Sequence, residues 1–256
     1  GAIELQCASA ALLNTVNTNV IIRRTVIRDC NDSAISTLGG IYNDVIIADN
    51  YITILNCVTN GGTKGVEMLG GSNWIISGNQ IPLIDKRITN NVGSVGILLR
   101  NQIGSIFNVL VSDNVIRNLG REASRSYGFG IYVDPTGAKP VMSGITIIGN
   151  RATEFGRGYP SIGIFIAPAT VVVTDLQLIN NVVVDAYNYL WHQYGEPKWN
   201  AIAILNGSNV VVRGNTCYDT AWPATSKQTA FGLFVDSPVK NIRIGVNSFT
   251  GCRLGE

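Results

Sequence analysis

The sequence predicts an all-β protein whose chain winds as a right-handed, single-stranded parallel β-helix of about eight coils. Two recurring strands lead to this prediction: one begins with a small residue, and the other ends with Asn. A third observation is that no segment shows an apolar stripe with the roughly 3.6-residue period of a helix. The chain is predicted to form one solenoid domain over residues 1–256.

The first recurring strand is short, apolar and usually led by Gly, Ala or Ser. Its period-two alternation and its many Ile and Val residues are typical of β-strands. Copies lie at residues 1–5, 33–37, 65–69, 96–100, 130–134, 163–167, 201–205 and 232–236.

The second recurring strand ends at Asn50, Asn79, Asn114, Asn150, Asn181, Asn215 and Asn247, with Thr25 in the corresponding place of the first copy. The intervals are 29, 35, 36, 31, 34 and 32 residues, which fits one coil per repeat. We expect these Asn side chains to stack and to hydrogen-bond between coils. We also expect each Asn to adopt the left-handed conformation at the corner.

Composition excludes several classes of function. The 19 Lys and Arg residues nearly balance the 17 Asp and Glu residues, which argues against a dedicated nucleic-acid surface, and no basic run suggests membrane binding. No apolar stretch has the length of a spanning helix. The five Cys residues show neither zinc-site spacing nor an even count, so we interpret most of them as small buried residues and predict no metal and no cofactor. A Cys30–Cys57 bridge between neighbouring coils is the alternative.

The two recurring strands resemble those of the pectate-lyase-like β-helix superfamily, most of all its bacteriophage tailspike and tail-appendage members. The resemblance covers nearly the whole chain, and it implies the fold more strongly than the activity, because this architecture hosts lyases, hydrolases, epimerases and inert shafts. The motifs of the pectin hydrolases are absent. Where alginate epimerases have Asp-Pro-His-Glu, this sequence has Asp134-Pro135-Thr136-Gly137, and no acidic cluster suggests the calcium site of pectate lyases.

Long connections in the C-terminal half give the first indication of a site. They follow the Asn strands at residues 119–129, 153–161, 185–200 and 219–231, and they contain most of the Trp and Tyr residues. Flat aromatic faces with polar edges suit sugar rings. The candidate substrate-binding residues are Tyr159, Tyr189, Trp191, Trp199, Trp222 and Arg157. The alternative is that these aromatic rings pack the connections onto the solenoid.

The residue four positions after each Asn turns acidic in three successive coils, as Glu154, Asp185 and Asp219. Coils about 4.8 Å apart would bring such carboxylates to the separations that glycosidases use. These three residues are the candidate catalytic acids, and Glu196 is a further candidate. The alternative is that they cap turns or pair with basic residues, and His192 is interpreted as a hydrogen-bonding residue of its loop.

A lateral column on the first recurring strand changes from polar to apolar along the axis: Glu4, Ser36, Glu67, Leu98, Tyr132, Phe165, Ala203, Phe234. An apolar stripe of this kind marks either a partner or a covering segment. Because tailspike-like proteins are trimers, the resemblance implies a possible homotrimer. The sequence starts inside a coil, so we expect a fragment of a longer protein.

These observations favour a domain that binds and degrades a bacterial surface or extracellular polysaccharide, located outside the cell or on a virion. Neither nucleic acid nor membrane insertion is expected. The alternatives are a non-catalytic structural or receptor-binding shaft, and a polysaccharide lyase or epimerase.

Overall fold

The computed structural model describes residues 3–4, 16–28, 33–37, 40–54, 63–84, 94–117, 128–137, 141–153, 161–186, 200–218 and 231–250. All regular secondary structure within these ranges is β-strand, and the strands form three parallel sheets of eight strands each. The sheets are called A, B and C.

The strands are numbered in chain order. Sheet A contains β1 (Ile3–Glu4), β4 (Ser33–Ser36), β7 (Thr63–Met68), β10 (Ser94–Arg100), β13 (Gly128–Asp134), β16 (Ser161–Ile166), β19 (Asn200–Ile204) and β22 (Phe231–Val235). Sheet B contains β2 (Val16–Arg23), β5 (Ile41–Ala48), β8 (Gly71–Ser77), β11 (Ile106–Ser112), β14 (Met142–Ile148), β17 (Val173–Ile179), β20 (Ser208–Arg213) and β23 (Lys240–Ile244). Sheet C contains β3 (Val26–Arg28), β6 (Tyr51–Ile54), β9 (Gln80–Ile84), β12 (Val115–Arg117), β15 (Arg151–Thr153), β18 (Val182–Val184), β21 (Thr216–Tyr218) and β24 (Ser248–Thr250).

Each strand pairs with the strand three places later in the chain, so every turn passes through sheets A, B and C in that order. This arrangement confirms the predicted all-β parallel solenoid. The two recurring strands of the sequence are the strands of sheets A and B. Sheet C was not predicted, because strands such as Val115–Arg117 have only three residues and are too short to show a period.

The predicted eight coils exceed the regular part of the solenoid: each sheet has eight strands, but about five of the turns are regular. Apart from β9, the strands from β7 to β21 pair regularly with both neighbouring turns. Towards the N-terminus, β1 has only two residues, and the pairing of β6 with β9 shifts its register between Tyr51 and Thr53. Towards the C-terminus, most side chains of β23 and β24 are exposed.

The interior is filled by aliphatic side chains that stack in register, such as Ile97, Ile131 and Ile164 of sheet A, all essentially fully buried. Sheets A and C lie close together at the small residue of the first recurring strand. An added Cβ at Gly163 would overlap Cγ1 of Val183 in sheet C and would lie 2.8 Å from the carbonyl oxygen of Ala201. The small residue of the first recurring strand is therefore required by packing across the interior.

Replacing Gly163 with alanine is expected to lower the free energy of unfolding by about 1–3 kcal/mol, because the added methyl overpacks the interior. Denaturant unfolding measures this loss. The loss should shrink in the double variant with Val183→Ala, which removes the overlapping methyl groups. Gly245→Ala is the control, since Gly245 is exposed, and equal stability of the two single variants would contradict the packing argument.

The recurring Asn residues form a continuous buried row between sheets B and C, called here the inner ladder: Asn50, Asn79, Asn114, Asn150, Asn181, Asn215 and Asn247. Each Nδ2 donates to the Oδ1 of the next Asn at 2.9–3.0 Å. The backbone N–H of Thr25 donates to Asn50 Oδ1 at 3.0 Å, so Thr25 takes the predicted place in the row. The prediction of stacked Asn residues is confirmed.

The backbone at this corner differs from the prediction. From Asn50 to Asn215 the left-handed residue is the one before the ladder residue, for example Asp49 (φ 56°), Asp113 (φ 55°) and Asn180 (φ 53°), or a Gly. No ladder residue from Asn50 to Asn247 has a positive φ. The preceding residue makes the turn, and the ladder Asn keeps an orientation in which its amide points along the axis.

Candidate functional site

The candidate site lies at the edge where the chain leaves sheet C and returns to sheet A. Of the predicted site residues, Asp185 is the one that the structure describes. It follows β18 directly, is partly buried and has φ 56°. Its backbone N–H donates to the carbonyl oxygen of Tyr218 at 3.0 Å, which extends the pairing of sheet C by one residue.

The register of sheet C agrees with the counting used for the acidic column. Arg151 pairs with Val182, and Val182 pairs with Thr216. The other site residues predicted from the sequence lie outside the described residues: Glu154, Asp219, Tyr159, Tyr189, Trp191, Trp199, Trp222, Arg157, Glu196 and His192.

The outer face of sheet A carries the predicted lateral column. Pairing joins its members from Glu4 to Phe234 in the predicted order: Glu4, Ser36, Glu67, Leu98, Tyr132, Phe165, Ala203, Phe234. The register of this column is confirmed, including its change from polar to apolar side chains.

The apolar part of this column is less exposed than an open stripe would be. Leu98 is 1% exposed and Ala203 is fully buried, and both pack with Val95, Phe129 and Ile162 in a second hydrophobic cluster on the outside of the solenoid. At Leu98 and Ala203 this burial agrees with the second of the two alternatives, a covering segment.

Three aromatic rings form the centre of this outer cluster. The rings of Phe129 and Phe165 stack at 5.4 Å between centroids, and the ring of Tyr132 lies 4.9 Å from Phe129 and 5.2 Å from Phe165. Tyr132 and Phe165 remain partly exposed, so this face presents aromatic surface to a ligand. Aromatic faces of this kind suit sugar rings.

The polar end of the same face is a group of charges that the sequence analysis did not recognise. Glu67 is 7% exposed, and its Oε2 accepts hydrogen bonds from the hydroxyls of Ser33 at 2.8 Å and Ser36 at 2.9 Å. The ammonium of Lys64 lies 3.4 Å from Glu67 Oε1. Lys64 and Glu67 are three residues apart, a spacing that places side chains on opposite faces of a regular strand, so no sequence pattern predicted this pair.

A second charged pair lies one coil further along. Arg100 Nε is 2.6 Å from Asp134 Oδ2, and Asp134 is 2% exposed. Asp134 also accepts hydrogen bonds from the backbone N–H of Thr136 at 3.1 Å and from its hydroxyl. The segment Asp134-Pro135-Thr136-Gly137 is therefore a turn stabilised by the carboxylate of Asp134.

Burial raises the pKa of Tyr132 to about 12; the negative charge of Asp134 adds to the rise and the positive charge of Arg100 opposes it. Tyr132 is therefore a phenol rather than a phenolate in any neutral solution. Because the folded-state pKa is raised, its contribution to stability is complete below the ordinary value of 10 and is lost as the pH rises through about 12.

The variant Tyr132→Phe is expected to lose one tyrosine ionisation near pH 12 and to leave the rest of the titration curve unchanged. Ultraviolet difference titration of the wild type against the variant measures this, because tyrosinate absorbs where phenol does not. Loss of a step near pH 10 instead would contradict the burial argument.

A second polar row, called here the outer ladder, runs along the exposed face of sheet B. Its members have positive φ and lie six residues before the inner-ladder position: Asn19, Asp44, Asn73, Asn108, Gly144, Asp175, Asn209 and Asn241. Asn73 Nδ2 donates to Asp44 Oδ1 at 2.9 Å, and Asn209 Nδ2 donates to Asp175 Oδ1 at 3.1 Å. This row was not predicted, although each member lies six residues before an inner-ladder residue in the sequence.

Among the described residues there is no helix long and apolar enough to span a membrane. The same residues contain no group of three or more His, Cys, Asp or Glu side chains suited to holding a metal ion. Cys217 is fully buried, as predicted for a small core residue, and Cys7, Cys30, Cys57 and Cys252 lie outside the described residues.

The fold and these faces define a parallel β-solenoid protein. No family model matches the chain, and no curated protein matches it. Among solved structures it is similar to the A-module of a mannuronan C-5 epimerase from Azotobacter vinelandii, at 14% identity and a TM-score of 0.31, over 92% of this chain and 64% of that chain.

Two structures of a plasmid-mediated fluoroquinolone resistance protein, both trypsin-treated, are also similar at 9% identity. Their TM-scores are 0.23 and 0.20, and the matches cover 90% and 85% of this chain and 92% of each of those chains. The chain spans less than two thirds of the length of the epimerase module. These likenesses carry no argument about activity.

Proposed function

We propose that the protein binds a bacterial surface or extracellular polysaccharide and cleaves it as an endo-acting glycosidase. The observation that carries the proposal is the register of β15, β18 and β21. Counting three residues along from the paired Arg151, Val182 and Thr216 leads to Glu154, Asp185 and Asp219. One acid therefore follows the same register position in three successive turns.

The spacing of such a column suits glycoside hydrolysis. Adjacent turns are separated by about 4.8 Å and alternate turns by about twice that distance. Retaining glycosidases hold their two carboxyl groups about 5 Å apart, and inverting ones hold them about 6.5–9.5 Å apart. Neighbours such as Asp185 and Asp219 would suit the retaining reaction, and Glu154 with Asp219 the inverting one.

The roles of the acids follow from the reaction. One carboxylic acid donates its proton to the glycosidic oxygen as the sugar bond breaks. A second carboxylate either attacks the anomeric carbon or removes a proton from the attacking water. The proposed substrate-binding residues come from the connections that follow these strands in the sequence: Tyr159, Tyr189, Trp191, Trp199 and Trp222, with Arg157 as a hydrogen-bond donor.

The setting proposed for this activity is a bacteriophage tailspike or a similar secreted protein of the pectate-lyase-like group, on a virion or outside the cell. A homotrimer belongs to this proposal. The partly exposed Tyr132, Phe165 and Phe234 on sheet A supply apolar surface for side-by-side contact. Light scattering coupled to size-exclusion chromatography measures the mass, and a mass of one chain at micromolar concentration would contradict the trimer.

A second candidate function is a non-catalytic structural or receptor-binding shaft. The inner ladder favours it, because seven hydrogen-bonded amides in one row stiffen the whole length of the solenoid independently of any active site. A polysaccharide lyase or epimerase is the third reading of the same fold.

Incubation with a panel of capsular and O-antigen polysaccharides separates these functions. A glycosidase produces new reducing ends without new ultraviolet absorbance, whereas a lyase produces both, because its products are unsaturated. An epimerase changes the nuclear magnetic resonance spectrum without shortening the polymer, and a shaft changes nothing. Reducing ends without absorbance are the expected result, and their absence across the panel would overturn the proposal.

A further inference from the structure

The outer face of sheet B contains a groove on its last two strands, β20 and β23. It encloses about 510 Å³ and is lined by Asn209, Val210, Val211, Asn241, Ile242 and Arg243. Two of its lining residues, Asn209 (φ 55°) and Asn241 (φ 50°), have the left-handed conformation of the outer ladder. In β23, Lys240 and Asn241 are both exposed while Ile242 turns inward, so the outer-ladder residues stand out as one wall of the groove.

Three exposed cationic side chains surround this groove: Lys240, Arg243 and Arg213. Neither β20 nor β23 contains an acidic residue. Arg243 pairs in register with Val211, two residues before Arg213, so the Cα atoms of the two arginines lie about 8 Å apart. Their side chains can therefore converge on one anionic group. No ion pair in the described part of the chain involves any of the three.

The wall of the groove adds neutral hydrogen-bonding groups. Asn241 Nδ2 donates to Asn209 Oδ1 at 3.2 Å, and Asn209 Nδ2 donates to Asp175 Oδ1 at 3.1 Å. An amide nitrogen carries two hydrogens, so each of these bonds leaves a second N–H on the exposed wall. The ladder bonds also hold the amides in one orientation, so binding a ligand costs less side-chain conformational entropy.

We propose that this groove binds the carboxylate or phosphate groups of an anionic polysaccharide. Guanidinium groups form two parallel hydrogen bonds with such groups, and an ammonium adds a point charge. The amide wall supplies donors for the sugar hydroxyls. The choice of a polysaccharide rests on the proposed function, but the groove lies on another sheet than Asp185, so it is a holding site separate from the cleavage edge.

A polysaccharide fits this groove better than a nucleic acid does. Proteins that bind single-stranded nucleic acids combine basic grooves with aromatic rings on which the bases stack. The six lining residues and the three cations include no aromatic side chain. The net charge of the whole chain is only +2, so the surface lacks the broad positive field of a nucleic-acid-binding protein.

The test measures binding of the full chain to immobilised polygalacturonate, polyphosphate, dextran and single-stranded DNA. The triple variant Lys240→Ala, Arg243→Ala, Arg213→Ala removes the cations of the groove. Its matched control is the triple variant Arg23→Ala, Arg24→Gly, Arg151→Ala, which removes the same charge from exposed positions elsewhere; glycine is chosen at Arg24 because the backbone there has φ 51°. All six side chains are exposed, and thermal unfolding is recorded to show that the variants fold alike.

The expected result is salt-sensitive binding of polygalacturonate or polyphosphate, weakened about tenfold or more in the groove variant and little changed in the control. Preference for polygalacturonate assigns a carboxylate, and preference for polyphosphate assigns a phosphate. Equal losses in the two variants, no binding by the wild type, or tighter binding of DNA that depends on the same three residues would each overturn the proposal.

The outcome is separable from that of the proposed function. The variant Asp185→Asn leaves the groove intact, so it should bind the anionic polymers as the wild type does. Binding that depends on the groove without cleavage of any polysaccharide would refute the glycosidase and keep the groove. Cleavage of a polysaccharide, together with binding that the groove variant does not weaken, would support the glycosidase and refute the groove.

Discussion

Replacing Asn114 with alanine is expected to lower the free energy of unfolding by about 3–5 kcal/mol. The amide is fully buried, and all of its hydrogen-bonding capacity towards the neighbouring turns is used. Nδ2 donates to the carbonyl oxygen of Ile76 at 2.8 Å and to Asn150 Oδ1 at 2.9 Å. Oδ1 accepts from the backbone N–H of Asn79 at 3.0 Å and from its Nδ2 at 2.9 Å.

Removing this amide leaves several buried polar groups without partners, which is the costly case for hydrogen bonds in proteins. The control is Asn108→Gly, six residues earlier in the same turn. Asn108 is an exposed outer-ladder residue with φ 51°, and Gly accepts that conformation without strain. Denaturant unfolding of both variants measures the difference, and a loss at Asn114 no greater than that at Asn108 would contradict the structural role of the inner ladder.

On a polysaccharide that the wild type cleaves, the variants Glu154→Gln, Asp185→Asn and Asp219→Asn should separate catalytic from structural acids. Substitution of either of the two acids that carry the reaction is expected to lower kcat by about 100- to 10,000-fold. Stability should remain close to that of the wild type. For Asp185 this follows because asparagine also tolerates its positive φ, and because the bond to Tyr218 uses the backbone N–H.

The control for these variants is Asp175→Asn, which neutralises an aspartate with the same φ of 56° on sheet B of the same turn. It should leave kcat unchanged. Release of reducing ends measures the rate in each case. Wild-type rates in all three variants of the acidic column would mean that the catalytic groups lie elsewhere, for which the charged face around Glu67 and Asp134 is the next candidate.

The inner ladder was predictable because one residue type marks one structural position in seven turns, and no other residue offers both a donor and an acceptor of that size. The outer ladder was not recognised, because Asn, Asp and Gly share its positions; what unites them is a backbone conformation rather than a side chain. Sheet C was missed for a related reason, since strands of three residues, such as Arg151–Thr153, are shorter than the period that would identify them.

The candidate site was predictable only up to the end of the strands. Register is strict inside a sheet, so the position of Asp185 after β18 agrees with the sequence count. Beyond the strands the connections vary in length, and no repeat constrains them. The column on sheet A is similar. Its register was predicted from the sequence, but the burial of Leu98 depends on the residues that cover it, and residue spacing does not predict these.

The side-chain bonds of the inner ladder have one direction: from Asn50 to Asn215 each Nδ2 donates to the Oδ1 of the following turn, and these turns repeat the same bond. A whole coil can therefore be inserted or deleted without leaving a mismatched junction, provided that its own Asn comes with it. Tandem duplication of such a unit lengthens the protein while each copy remains free to acquire a different loop. Length and specificity can thus evolve independently.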